Sequence, residues 1–234
     1  MHDRSDSETK SARIPTRPER FVPVISLQGG VGSGKSQISR VLAESFRTAN
    51  PGREIVVVDA DAVGHQVLRE EPVKRAIRSR FGDSVFTPGG EVDRPRLGKL
   101  VFGRNDSSKR ARRDLEVIVH PLIRAEVSAQ ISRTRSRPEV AAVILDAAIL
   151  IEAGWNDLCD VLIFVDTPFE QRLRQVVASR GWTESQLKSR EESQLGLEIK
   201  RAACHYVTNN SGPVTTTAAE LHRLLQQILQ SHLP

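Results

Sequence analysis

Aromatic residues, cysteine and long apolar runs are all scarce in this chain, and each shortage argues against a class of function. Two Trp, one Tyr and seven Phe make up only 4% of the 234 residues. Platforms for stacking exposed bases are therefore few, which disfavours a nucleic-acid binder. The net charge of +5 does not reverse this, because the excess is mild and dispersed. Arginines drawn to the phosphates of a small substrate account for it equally well. The two cysteines, Cys159 and Cys204, lack metal-ligand spacing and read as small buried apolar residues, so nothing calls for an oxidising compartment. There is no run of about 18 apolar residues and no apolar secretion-signal core, so a membrane partner is not expected and a cytoplasmic location is. The hydrophobic fraction of 38% still suffices for one domain with insertions or a small appendage.

What is present is a phosphate-binding signature. Gly29-Gly30-Val31-Gly32-Ser33-Gly34-Lys35-Ser36 fits G-x-x-x-x-G-K-[ST]. Val22 to Leu27 before it reads as a buried strand. Ile38, Val41, Leu42, Ser45 and Phe46 after it recur at helical spacing. In that context backbone N–H groups and the helix N-terminus close around phosphate oxygens. Lys35 reaches the β- and γ-phosphates of a nucleoside triphosphate, Ser36 holds Mg²⁺, and Gln37 joins the nucleotide-binding set.

Acidic residues follow at the ends of further strands. Ile55 to Val58 runs into Asp59-Ala60-Asp61, where the carboxyl ends of an open α/β sheet line the ligand crevice. One of these carboxylates can orient Mg²⁺ through water, and the other can take a proton from an attacking hydroxyl. Alternatively, Asp61 caps the next helix, and the two readings are not exclusive. Asp61-Ala62-Val63-Gly64 imitates a GTPase switch, but no N-K-x-D guanine motif follows. Val140 to Asp146 is a third strand whose terminal Asp suits Mg²⁺, and it also reads as an ordinary turn starter; Glu152 lies a little further on. Asp160 to Asp166 is a fourth strand and Tyr206 to Thr208 a fifth. The latter leads into a loop, Asn209 to Pro213, where a nucleotide base could rest.

Between strands two and three, residues 62 to 130 read as helices, too many for a simple crossover and suited to holding a substrate. His120-Pro121 predicts a kink or a fresh helix start there. His120 reads either as an acid–base group or as a structural residue at that kink. After strand four, Thr167-Pro168-Phe169-Glu170 fits a capping box. The helix it opens would turn Leu173, Val176 and Val177 inward and Gln171, Arg172 and Arg174 outward. Thr183-x-x-Gln186 and Thr217-x-x-Glu220 fit two more such boxes. Residues 181–203 are rich in Arg, Glu and Gln, as a flap closing over phosphates would be, with Arg180 the first candidate among Arg180, Arg190 and Arg201. Residues 1–20 hold nine charges and almost no apolar side chains, the composition of a disordered extension.

These elements predict an α/β fold: a P-loop NTPase-type five-stranded parallel sheet flanked by helices, with a helical substrate-binding insertion and a small helical lid. The layout is that of a small-molecule kinase. The residues that carry it also resemble the dephospho-CoA kinase family. The resemblance rests on the phosphate loop followed by Val58-Asp-Ala-Asp61, on Phe81-Gly82, and on Asp93-Arg94-x-x-Leu97-Gly98-x-x-Val101-Phe102. It continues through Leu115-Glu116-x-Ile118-Val119-His120-Pro121-Leu122-Ile123, Asp146 to Glu152, Val165 to Pro168, Gln171-Arg172-Leu173, Gln194 and Asn210-x-Gly212. It implies transfer of the γ-phosphate of ATP, with Mg²⁺, to the ribose 3′-hydroxyl of dephospho-CoA; a monomer or small homo-oligomer is expected. It further implies Asp61 as base, a lid over 181–203, Arg180 facing the nucleotide, and Arg94 and His120 within the substrate subdomain. The sequence departs from the family where a Pro-Leu-Leu-x-Glu run is usual: Ala147-Ala148-Ile149-Leu150-Ile151-Glu152 stands there, implying a less rigid crevice wall. Another P-loop kinase, for nucleosides or their monophosphates, is the alternative; a nucleotide-dependent switch fits less well.

Overall fold

The computed structural model describes residues 21–103 and 105–231. The charged stretch 1–20, expected to be disordered, lies outside them. Five short runs rich in β-branched residues become parallel strands: β1 (Val24–Gln28), β2 (Glu54–Asp59), β3 (Val140–Asp146), β4 (Val161–Asp166) and β5 (Tyr206–Asn209). They lie in the order β2-β3-β1-β4-β5. The central strands are apolar on both faces because helices cover both. Neighbouring residues therefore alternate between two cores: Val24, Val143, Leu145 and Leu162 face one side, and Ile25, Ile144 and Ile163 the other. The second core is sealed by α1 (Lys35–Ala49) and α9 (Val214–Ser231) through Ile38, Leu42, Phe46, Leu221 and Leu225.

The first core lies under the helical block between β2 and β3. That block comprises α2 (Ala60–Val67), α3 (Glu71–Phe81), α4 (Arg94–Val101) and α5 (Asp106–Arg135), which contribute Val63, Val67, Ile77, Leu97 and Val127. No fresh helix starts at His120-Pro121: α5 runs continuously for 30 residues with Pro121 inside it. Proline removes one donor to the carbonyl of residue 117. Val117 is 75% exposed, so solvent can take up that carbonyl.

Beyond β4, α6 (Phe169–Arg180), α7 (Glu184–Glu192) and α8 (Leu197–Ala202) form the region read as a flap. The Thr183–Gln186 capping box is present. The other two boxes are not. Pro168 occupies the N-cap of α6 without a side-chain bond, and α9 begins at Val214, before Thr217. The inner face of α6 is also shifted from the expected stripe: Arg172 is 4% exposed, whereas Val177 is 50% exposed. Among the described residues, no helix is long and apolar enough to cross a membrane.

Candidate active site

The strand order places the end of β1 between those of β3 and β4, where the chain winds off in both directions. The glycine-rich loop leaves β1 at that point. Gly32 has φ +75°, and an added Cβ would sit 2.6 Å from Val176 Cγ1, so both backbone and space require glycine. The loop's carbonyls are engaged from the protein side. Lys35 Nζ donates to the Gly29 and Gly30 carbonyls at 3.3 and 3.1 Å and to Ser33 Oγ at 3.2 Å. Thr167 Oγ1 donates to the Ser33 carbonyl at 3.2 Å, and Asn210 Nδ2 to the same oxygen at 3.1 Å. The Ser33 N–H donates to the Gly30 carbonyl at 3.2 Å. With the carbonyls held below, the N-terminus of α1 faces the space where an anion would sit. The same bonds explain the missing capping boxes: Thr167 serves the loop, and Thr217 donates to Asn210 Oδ1 at 2.8 Å.

Val31 to Gln37 line a cleft of about 810 Å³ together with Asp59, Asp61, Asp146, Gln175, Arg180, Arg190 and Gln194. Asp59 and Asp146 are register partners at the ends of β2 and β3. The cap of α2 is Asp59, whose carboxylate accepts from the Ala62 N–H at 2.9 Å. Asp61 therefore does not cap that helix, contrary to one of its two readings, and its carboxyl lies in the cleft. Burial raises its pKa above the usual carboxylate range, and the charges of Asp59 and Asp146 add to this. His65 and Arg190 oppose the rise. Burial, followed by the charge of Lys200, lowers the pKa of Lys35 to about 8.

A second cleft of about 560 Å³ opens toward the helical block. Its apolar walls include Leu97, Phe102, Ile123 and Trp155, and its polar ones include His65, Arg94 and His120. The His120 ring meets Trp155 edge to face, with centroids 5.5 Å apart. Burial pushes its pKa down, which favours the neutral imidazole. Asp61, Ala148, Arg180 and Arg190 line both clefts, so the two spaces meet at these residues. Ala147 is buried, and Ala148, the position that a Pro-Leu-Leu-x-Glu run ending at Glu152 gives to proline, lines both clefts. Arg180 lies over the Trp182 ring and Arg190 over the Phe102 ring, at 4.8 and 4.4 Å. Arg190 thus equals Arg180 as a cationic candidate, although sequence spacing ranked it lower.

Several expected site residues lie elsewhere. Glu152 lines neither cleft. It pairs with the buried Lys200 at 2.7 Å and accepts from the Leu195 N–H at 3.2 Å, fastening the segment before and within α8. Asn210 is buried beneath the loop, and Gly212 is exposed and lines neither cleft. Gly29 and Gly30 contribute carbonyls to Lys35 rather than walls. Arg201 pairs with Asp166 at 2.6 Å, outside both clefts. The residues that sequence reading missed are Gln175, which lines the donor-side cleft, and Arg172, which lies under the loop. The available signal was the i, i+4 pair Arg172 and Val176 on the buried side of α6. Among the described residues, no three His, Cys, Asp or Glu side chains converge to hold a metal unaided.

A family model described as dephospho-CoA kinase matches residues 23–216. A dephospho-CoA kinase of Thermobifida fusca is 35% identical over 211 residues, covering 88% of this chain and 98% of its own. One from Geobacter sulfurreducens is 34% identical, covering 90% and 99%. Among solved structures, a Thermus thermophilus protein superposes with TM-score 0.70 at 29% identity over 91% of this chain and 99% of its own. The dephospho-CoA kinase of Campylobacter jejuni shares the fold at TM-score 0.62 and 21% identity, covering 90% and 98%.

Proposed function

Because the chain belongs to the dephospho-CoA kinase family, we propose that it transfers the γ-phosphoryl group of ATP to the ribose 3′-hydroxyl of dephospho-CoA, giving coenzyme A and ADP. The observation that carries this reading is one carboxylate, Asp61, shared by a phosphate-loop cleft and a second, largely apolar cleft. A phosphoryl transfer between two bound substrates needs a group at the boundary that can accept the acceptor's proton.

In this reading the triphosphate lies along Val31 to Ser36 and Gln37, with Lys35 against its outer phosphates. The acceptor occupies the second cleft, so residues 62–130 serve as its subdomain. Arg94 and His120 contact it on the polar side, while Leu97, Phe102, Ile123 and Trp155 bury its apolar parts. The acceptor oxygen forms a bond to the γ-phosphorus as the bond to the β–γ bridging oxygen breaks. Its proton passes to Asp61, whose raised pKa strengthens it as a base. Lys35, Arg180 and Arg190 neutralise charge on the moving group. Asp59, which lines the phosphate-loop cleft beside Asp61, orients the acceptor's hydroxyl at the junction.

Ser36, Asp59 and Asp146 offer only oxygen donors, a set that fits Mg²⁺ shared with phosphate oxygens and water. Bound there, Mg²⁺ supplies charge neutralisation on the phosphates. Residues 181–203 act as the lid, and closure excludes water from the transfer. The test is ADP release measured with dephospho-CoA as acceptor, coenzyme A being identified by mass. Turnover with nucleosides or nucleoside monophosphates but none with dephospho-CoA overturns the assignment.

A further inference from the structure

The side chain of Arg172 runs from α6 back beneath the phosphate loop. Its Nε donates to the Thr167 carbonyl at 3.1 Å, and its Nη1 reaches the Val31 carbonyl at 3.5 Å. It packs so closely that a Cβ on Gly30 would lie 2.7 Å from Nη1. The same Nη1 also pairs with Glu191 on α7. One buried guanidinium therefore touches the phosphate loop and the lid helix at once.

A second contact joins the same two elements. Val31 of the loop, Val176 of α6 and the fully buried Leu187 of α7 form a small apolar cluster, with Phe169, Leu173 and Trp182 at its edge. Besides this cluster and Glu191, α7 is held at its surface by Arg190 over the Phe102 ring and Lys188 over the Phe169 ring, and at its C-cap by the Ser193 carbonyl, which accepts from Arg112 Nη1. Leu187 is its only buried residue, and its other ion pair, Lys188–Glu184, is internal and exposed. Such a helix docks by a few defined contacts and opens when they are lost. Arg190, the neighbour of Glu191, lines both clefts, and its charge acts on Asp61.

We propose that Arg172 and Glu191 form a latch that seats α7 on the phosphate loop and thereby aims Arg190 at the junction of the two clefts. Glu191 is then a positioning residue for phosphoryl transfer, acting through Arg190 and touching neither substrate. Loop and lid become one unit: the carbonyls that shape the donor pocket and the carboxylate that seats the lid share a single cation. The inference rests on the kinase reading for its kinetic consequences only; the docking of α7 stands apart from it.

Glu191→Gln keeps the shape of the side chain and removes its charge. With ATP and dephospho-CoA it is expected to lower kcat about tenfold while the Kd for ADP stays within about twofold, because Arg172 keeps its bonds to the loop. In an Arg190→Lys background the same substitution is expected to cost less than about twofold, since it acts through the residue already changed. Equal losses in the two backgrounds, or parallel losses in kcat and ADP affinity, overturn the proposal. Amide hydrogen exchange over 184–192 gives a readout independent of turnover, expected to accelerate about tenfold in Glu191→Gln. Unchanged exchange refutes the latch whatever the acceptor proves to be. Absence of dephospho-CoA turnover in the wild-type chain, with accelerated exchange in the variant, refutes the kinase reading and leaves the latch standing. Glu191→Asp, which retains the charge on a shorter arm, is expected to show the same pattern with smaller changes; unaltered kcat and exchange there, should the Gln variant not fold, count against the latch.

Discussion

Binding of ADP is expected to draw protons onto Lys35. Its ammonium meets two carbonyls and one hydroxyl, and burial combines with the nearby charges of Lys200 and Arg172 to bring its pKa to about 8, against 10.5 ordinarily. At that value about half of the side chain is neutral at pH 8, about nine-tenths at pH 9 and about one-tenth at pH 7. Negative phosphates laid against it favour the charged form and lift the pKa back toward its ordinary range. Binding therefore takes up about half a proton at pH 8 and about nine-tenths at pH 9 from this group. The phosphate's own second ionisation, near 6, contributes little there. Calorimetric titrations in buffers of different ionisation enthalpy read the uptake as the slope of the apparent enthalpy. The direction of its pH dependence identifies the group: uptake by a lysine rises from pH 7 to 9, whereas uptake by a carboxylate such as Asp61 falls. A slope near zero at pH 8 and 9, or one that falls with pH, refutes the account of Lys35. The linkage to stability has a matching sign. Between about pH 8 and 10.5 the folded protein holds fewer protons here than the unfolded chain, so this residue makes the ligand-free protein more stable as pH rises through that window.

Asp61→Asn is expected to lower kcat about 10²- to 10⁴-fold without weakening ADP binding. The same change raises Tm at pH 7, because it removes a buried charge beside Asp59 and Asp146. That gain shrinks as pH falls from the raised value to the ordinary 3.8 and is gone below it, where Asp61 is neutral in both states; a gain that grows on acidification contradicts the assigned cause. Lys200→Met leaves Glu152 buried without its partner and is expected to cost about 3–5 kcal/mol in denaturant unfolding. The double variant with Glu152→Gln recovers much of that loss. A single-variant cost below about 1 kcal/mol means that the pair does not hold α8 in place.

The sheet was legible because a strand covered on both faces must be largely apolar. Ile55 to Val58 and Val140 to Leu145 are so throughout. Val22 to Leu27 has one polar exception, Ser26, whose hydroxyl donates to the Leu145 carbonyl at 2.8 Å. The acidic strand ends were legible as candidates. Parallel register then set Asp59 beside Asp146, and the α2 cap went to Asp59, leaving Asp61 to the cleft. Less legible were the polar residues at helix starts. Thr-x-x-Glu is a local pattern, and its bond to the third helical N–H is a weak one that a remote acceptor can displace. Here the remote acceptor was the underside of the phosphate loop, which claimed Thr167, Asn210 and Arg172. Reading Arg172 as outward failed for the same reason, since charge predicts exposure only where no buried acceptor awaits it. The two observations have one origin. A loop that offers its N–H groups to phosphate must bury its carbonyls, and buried carbonyls require donors from other segments. The glycine signature at residues 29–36 therefore implies a second, dispersed signature of donors near the end of an adjacent strand. In this chain Thr167, one residue beyond β4, and Arg172, on the first turns of α6, supply it. Because Arg172 also reaches α7, the demand created by the donor pocket extends to the lid.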